Sequence, residues 1–188
     1  MIARYSSGLG SLVMTVAWIA PVALVAAVVV VALSLRRGAD RAVIVERLVL
    51  VGLLAALGAV AVLTLQPLGG GFDAPRSSSF NPIAPIGRKD ALDNLLLFIP
   101  VGFFAMLWWR SKARPVVWAA GLAFSVSFVI EMAQWVLPIN RAASIHDVMF
   151  NTLGGFAGAL GAVFVVSLVE RFDRRADGLG RKLQTETS

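Results

Sequence analysis

The chain has no cysteine among its 188 residues, and it has a single histidine. Without thiols there are no disulfides and no thiolate chemistry, and one imidazole cannot form a zinc site of the usual composition. No GxxxxGK[ST] or GxGxxG motif is present, so nothing in the sequence indicates nucleotide binding. The sequence therefore predicts neither a metal ion nor a cofactor.

Charge is also scarce. Charged residues make up 15% of the chain and hydrophobic residues 58%, with a mean hydropathy of +0.80, whereas a soluble domain has about 25% charged residues. The apolar residues form five runs, each long enough to cross a hydrocarbon core about 30 Å thick. These runs cover roughly residues 11–35, 48–65, 91–109, 116–137 and 148–169.

The five runs predict an all-α fold, a polytopic transmembrane helix bundle of about five spans. We expect residues 1–172 to form a single integral membrane domain. Residues 173–188 are expected to be a disordered cytoplasmic tail, because they are polar and terminal.

The distribution of basic residues predicts the orientation. If the five runs alternate across the membrane, 12 of the 17 Lys and Arg residues lie on one side and 5 on the other. Since basic loops stay in the cytoplasm, we expect the N-terminus outside and the C-terminus inside. The pI near 11 is then a consequence of membrane orientation, and no nucleic-acid partner is expected.

One long connection, residues 66–90, separates the second run from the third. Its Gly, Pro and Ser residues exclude a helix through its length. Two interpretations remain open, a flexible linker and a lid over the outer mouth of the bundle.

Polar side chains concentrate at the predicted outer ends of the last three spans. Their spacings of three and four residues place them on one face of each helix, so we expect a polar pocket open to the outside. The candidate ligand-binding residues are Asp93, Asn94, Glu131, Gln134, Arg141, Asp147 and Asn151.

Glu131 is the most informative of these residues. An isolated ion inside a span costs at least about 2.5 kcal/mol, so this carboxylate must be paired, hydrated or protonated. Arg141 is its natural partner. The pair is either a structural link between the fourth and fifth spans or part of a site that meets a ligand or moves a proton.

The neighbouring candidates have similarly divided interpretations. Asp147 is either a helix cap or a functional group, and Asn94 is expected to form an interhelical hydrogen bond. Gly154, Gly158 and Ala162 form a small-xxx-small ridge, which indicates close helix packing and no chemistry.

Two blocks of sequence resemble the VanZ-like family, named for a teicoplanin-resistance protein of Gram-positive bacteria. The first block is "DNLLLFIPVGF", residues 93–103, in which Asn94, Phe98, Pro100 and Gly102 match the family pattern. The second block matches at Glu131, Gln134, Arg141, Asp147, Asn151, Thr152 and Gly154. Together they define a VanZ-like core at about residues 90–161. Ser144 and His146 depart from the pattern, because many members have acidic residues there.

The resemblance implies a multi-pass protein of the bacterial plasma membrane with a role in the cell envelope. It supplies no reaction, and glycopeptide resistance is not implied for this chain.

Three functions stay open. The first is a protein that binds or modulates a lipid headgroup, a lipid-linked cell-wall precursor or an envelope protein. The second is an enzyme acting on a lipid-borne substrate, with Glu131 or Asp147 as the catalytic base and Arg141 stabilising negative charge. The third is a proton-coupled carrier or flippase.

Overall fold

The structure is a computed structural model that describes residues 22–66, 87–137 and 143–186. Within these ranges the chain forms five helices and no strand. The helices are α1 (Val22–Arg36), α2 (Arg41–Leu65), α3 (Arg88–Trp108), α4 (Pro115–Val136) and α5 (Ile145–Glu186). This architecture confirms the predicted all-α transmembrane bundle.

Four of these helices are long and apolar enough to cross a membrane. They are α2, α3, α4 and the Ile145–Phe172 part of α5, with mean hydropathies of 2.7, 1.8, 1.9 and 2.0 over their most apolar windows. The described part of the first predicted span is the shorter apolar helix α1. The remainder of that span, and most of the connection interpreted as a linker or lid, lie outside the described residues.

The helices extend beyond the apolar runs that predict them. α2 begins at Arg41, before the run that starts at residue 48, and α3 begins at Arg88, within the predicted connection. α5 continues to Glu186, through most of the segment expected to be a disordered tail. Hydropathy marks the part of a helix inside the membrane, whereas helical hydrogen bonding propagates from that part into polar sequence.

α3 is the central helix of the described bundle, since it contacts α2, α4 and α5. Its buried side chains Phe98, Val101 and Ala105 have no exposed surface and form the core with Val60 of α2. On the outside of the bundle, large apolar side chains such as Trp118 and Phe164 are 58% and 64% exposed, as expected for helices that face lipid.

The small-residue ridge of α5 packs directly on α3. A Cβ atom built on Gly154 would overlap the carbonyl oxygen of Leu95, and one built on Gly158 would overlap that of Ile99. Gly155 lies between two helices, because its carbonyl adjoins Gly102 of α3 and its Cα faces Ala123 of α4. The predicted close packing of the ridge is therefore confirmed. The ridge packs the first turns of α5 against the part of α3 that contains Asn94.

Candidate functional site

Polar side chains of α3, α4 and α5 meet inside the bundle. They lie near the start of α3, the end of α4 and the start of α5, which are one end of the bundle. We call this group the interhelical polar cluster; it comprises Asn94, Ser127, Glu131, Gln134, Asp147 and Asn151.

α4 contributes three of these side chains from one face. Ser127, Glu131 and Gln134 follow one another at spacings of four and three residues, and they are 0%, 4% and 6% exposed. Side chains at these spacings stack along one side of a helix. α4 therefore turns a polar stripe toward the protein and leaves its apolar side chains for lipid.

Glu131 lies about 8 Å inside the end of α4, at 1.5 Å per residue. Its Oε2 accepts a hydrogen bond of 2.8 Å from the backbone N–H of Ser144, just before α5 begins. The hydroxyl of Ser144 in turn accepts the N–H of His146 at 3.2 Å, so this serine caps α5. The carboxylate of Glu131 thus holds the backbone of Ser144, the residue before α5, against the end of α4.

Asn151 joins α5 to α4. Its Nδ2 donates to the hydroxyl oxygen of Ser127 at 2.7 Å, and both side chains are buried. Its Oδ1 is buried and has no hydrogen-bond partner among the described residues, and the same holds for Nδ1 of His146. Buried polar atoms are nearly always paired, so these two atoms need an explanation.

Asn94 and Gln134 extend the cluster to two further helices. Asn94 Nδ2 donates to Oδ1 of Asp147 at 2.6 Å, which ties α3 to α5 and confirms the expected interhelical hydrogen bond of Asn94. Gln134 Nε2 donates to the backbone oxygen of Thr64 at 2.9 Å. That carbonyl belongs to the last turn of α2, where it has no partner within its own helix.

Two candidate residues do not join the cluster in the described structure. Asp93 is exposed and pairs with Lys89 one turn earlier on α3, because it lies on a different side of the helix from Asn94. Arg141 lies outside the described residues, so its expected pairing with Glu131 stays a prediction.

Sequence reasoning missed Ser127 and Thr64. Ser127 was detectable in principle, because it lies one helical turn before Glu131 on the same face. Thr64 was not, because it contributes through a backbone oxygen, which any residue type would supply.

The arrangement supplies hydrogen-bond acceptors in a buried setting: a carboxylate and an amide oxygen. A ligand with hydroxyl or amine donors would satisfy the Oδ1 of Asn151, while the Nδ1 of His146 would donate or accept according to its tautomer. A metal ion would need several such ligands converging, and no group of three His, Cys, Asp or Glu side chains does so in the described part of the chain.

The fold and the cluster define a multi-pass membrane protein with a polar site built between spans. The VanZ/LLP1 family model matches residues 12–166, which cover most of the chain, so this protein belongs to the VanZ/LLP1 family. The chain is also 32% identical over 84 residues to the protein VanZ of Enterococcus faecium, over 44% of this chain and 50% of the relative. It thus spans about half the length of that curated relative. No solved structure matches the chain.

Proposed function

We propose that this protein binds the polar headgroup of a membrane lipid or lipid-linked envelope precursor at the outer leaflet, through the interhelical polar cluster and Arg141. The ligand chemistry is an anionic headgroup, phosphate or carboxylate, that also carries hydroxyl or amine donors. Membership of the VanZ/LLP1 family supports an envelope role.

The observation that carries this proposal is the Oδ1 of buried Asn151, which has no hydrogen-bond partner among the described residues. A polar atom that is buried without a hydrogen bond costs free energy. An apolar residue at the same position of the helix would avoid that cost, so the presence of Asn151 indicates a function. The side-chain amide of Asn151 can bind two partners at the same time. Its Nδ2 donates to Ser127, and its Oδ1 can accept a hydrogen bond from a ligand. A headgroup hydroxyl or amine is the donor that Oδ1 lacks.

Glu131 supports the same conclusion. It is 4% exposed within a membrane span, and intramembrane ionisable residues usually mark a ligand or ion site. Its described partner is the N–H of Ser144, which keeps the carboxylate oriented at the α4–α5 connection. Arg141 belongs to that connection in sequence, and a guanidinium can bind a phosphate or carboxylate through two hydrogen bonds.

Native mass spectrometry of the gently purified protein tests the proposal. The wild type is compared with Arg141→Ala and Glu131→Gln. Two matched controls are Arg174→Ala, an exposed arginine paired with Glu170, and Ser125→Ala, an exposed α4 serine that bonds only its own helix.

We expect one lipid or lipid-linked species to remain on the wild type and both controls and to be lost from Arg141→Ala. The same bulk lipid on all forms would contradict the proposal and assign the cluster to helix packing. Accumulation of the species on Glu131→Gln, with a product seen only on the wild type, would replace binding by catalysis.

A further inference from the structure

A concave site lies at the end of the bundle opposite the interhelical polar cluster. A cavity of about 300 Å³ separates the beginning of α2 from the end of α3 and the turn that follows it. Ligand sites begin at about this size. Its lining comprises Ala42, Val43, Val45, Glu46, Val49, Leu107, Trp108, Arg110 and Ser111.

The cavity has an apolar wall and a polar rim. Val43, Val49 and Leu107 are partly buried along its inner side, while Glu46 and Arg110 are exposed at its edge. Trp108 ends α3 at the same level, where tryptophan is common at the boundary between hydrocarbon and headgroups. This combination is typical of a site for an amphiphile. The hydrocarbon chain of the amphiphile lies along the apolar wall, and its polar head lies at the rim.

The two charged residues at the rim have opposite signs and come from different elements. Glu46 belongs to α2 and Arg110 to the turn after α3, and no ion pair of either residue is present within the described ranges. A simple anion would be repelled by Glu46, and a simple cation by Arg110. A headgroup that carries both charges satisfies both residues.

We infer that this cavity binds a zwitterionic phospholipid with a primary ammonium, phosphatidylethanolamine in chemical terms, in the cytoplasmic leaflet. The phosphate lies against the guanidinium of Arg110, which can donate two parallel hydrogen bonds to it. The ammonium lies against the carboxylate of Glu46. One acyl chain lies on Val49 and Leu107, which are each about one helical turn deeper than the two charged residues. This inference uses the same predicted orientation as the proposed function, but it depends on different residues.

The test uses the full-length protein in mixed micelles with equal amounts of phosphatidylethanolamine, phosphatidylcholine and phosphatidylglycerol, read by native mass spectrometry. Glu46→Gln and Arg110→Gln are the test variants. Asp40→Asn and Lys112→Gln are matched controls, since they remove the same charges from the same end of the bundle outside the cavity lining. Arg110→Lys, which keeps the charge, checks that loss of binding is not loss of fold.

The wild type is expected to retain phosphatidylethanolamine over the other two lipids by about fivefold, the effect of one or two partly exposed charge contacts. Glu46→Gln should erase that preference and increase retention of phosphatidylglycerol. Arg110→Gln should weaken all three lipids, Arg110→Lys should keep part of the binding because it keeps the charge without the two parallel hydrogen bonds, and both controls should behave as the wild type. Equal retention of the three lipids by the wild type, or an unchanged profile in Glu46→Gln, would overturn the inference.

Discussion

The two faces of α5 hold their neighbours in different ways. Toward α3, glycines let the backbones touch, and Gly154 and Gly158 lie against the carbonyls of Leu95 and Ile99. Toward α4, the contact adds a buried hydrogen bond between Asn151 and Ser127. Lipid is as apolar as a leucine side chain, so helices in a membrane gain no hydrophobic free energy by associating. Close packing and polar bonds are the remaining means. Toward α3 close packing dominates, with one hydrogen bond between Asn94 and Asp147 beside it. Toward α4, Gly155 packs on Ala123 beside the buried bond between Asn151 and Ser127.

The glycines of α5 determine where the helix lies, whereas its polar side chains supply groups that can bind a ligand. Gly154 and Gly158 need no polar group and leave no room for a Cβ atom, so they fix where α5 lies against α3. The polar face contains groups that exceed what packing requires, above all the unpaired Oδ1 of Asn151. Substitutions on the first face should therefore damage the fold, and those on the second should damage the fold less than they damage ligand binding.

Gly158→Ala is expected to have the largest effect on stability. The new Cβ would overlap the carbonyl oxygen of Ile99, a backbone atom that cannot rotate away. We expect the free energy of unfolding to fall by about 1–3 kcal/mol, the range for overpacked sites. Reversible unfolding in mixed micelles measures it.

Gly161→Ala is the matched control, because a Cβ at Gly161 meets nothing within 4 Å. It should leave stability unchanged or raise it slightly, since alanine favours helix. Equal losses in the two variants would show that the glycine face is not the close contact described here.

The Asn151–Ser127 bond should contribute less. A double-mutant cycle with Asn151→Ala and Ser127→Ala is expected to give a coupling free energy of about 0.6–1.7 kcal/mol, the range for hydrogen bonds between membrane helices. Thr152→Ala serves as the control, because the Thr152 hydroxyl bonds the carbonyl of Val148 in its own helix. A coupling of zero would mean that the two side chains do not depend on each other.

Gln134→Leu is expected to have the smallest effect. The substitution removes the buried donor to the Thr64 carbonyl, but it also removes the cost of burying the amide. We expect a loss of about 0.5–1 kcal/mol in the free energy of unfolding, the net value of one ordinary hydrogen bond. The exposed Ser125→Ala should show no loss, and a loss for Gln134→Leu above that of Gly158→Ala would reverse the expected ranking of close packing above a single hydrogen bond.

Much of this arrangement follows from the sequence. Length and hydropathy predict the spans, the spacing of Gly154 and Gly158 predicts close packing, and Asn94 at the start of a span predicts an interhelical bond. These features are local, because each depends on residue type and helical period. The structure describes all three as expected.

Other features depend on which helices become neighbours, which spacing within one helix does not encode. The partner of the glycine ridge is α3, and the partner of Gln134 is a backbone oxygen of α2, 70 residues away. Asp93 and Asn94 are adjacent in sequence, yet only Asn94 lies on the side of α3 that faces α5. The extent of α5 beyond residue 172 was also missed, because hydropathy cannot detect a polar helix that continues an apolar one.

The side of the membrane on which the polar cluster lies is the premise that the proposed function depends on most directly. Because the chain contains no cysteine, single cysteines can be placed without altering a background. Ile145→Cys marks the exposed start of α5, and Ser111→Cys marks the exposed turn after α3. We predict that a membrane-impermeant maleimide labels Ile145→Cys on intact spheroplasts and labels Ser111→Cys only after lysis. The reverse pattern would place the cluster in the cytoplasmic leaflet and contradict an outer-leaflet binding site.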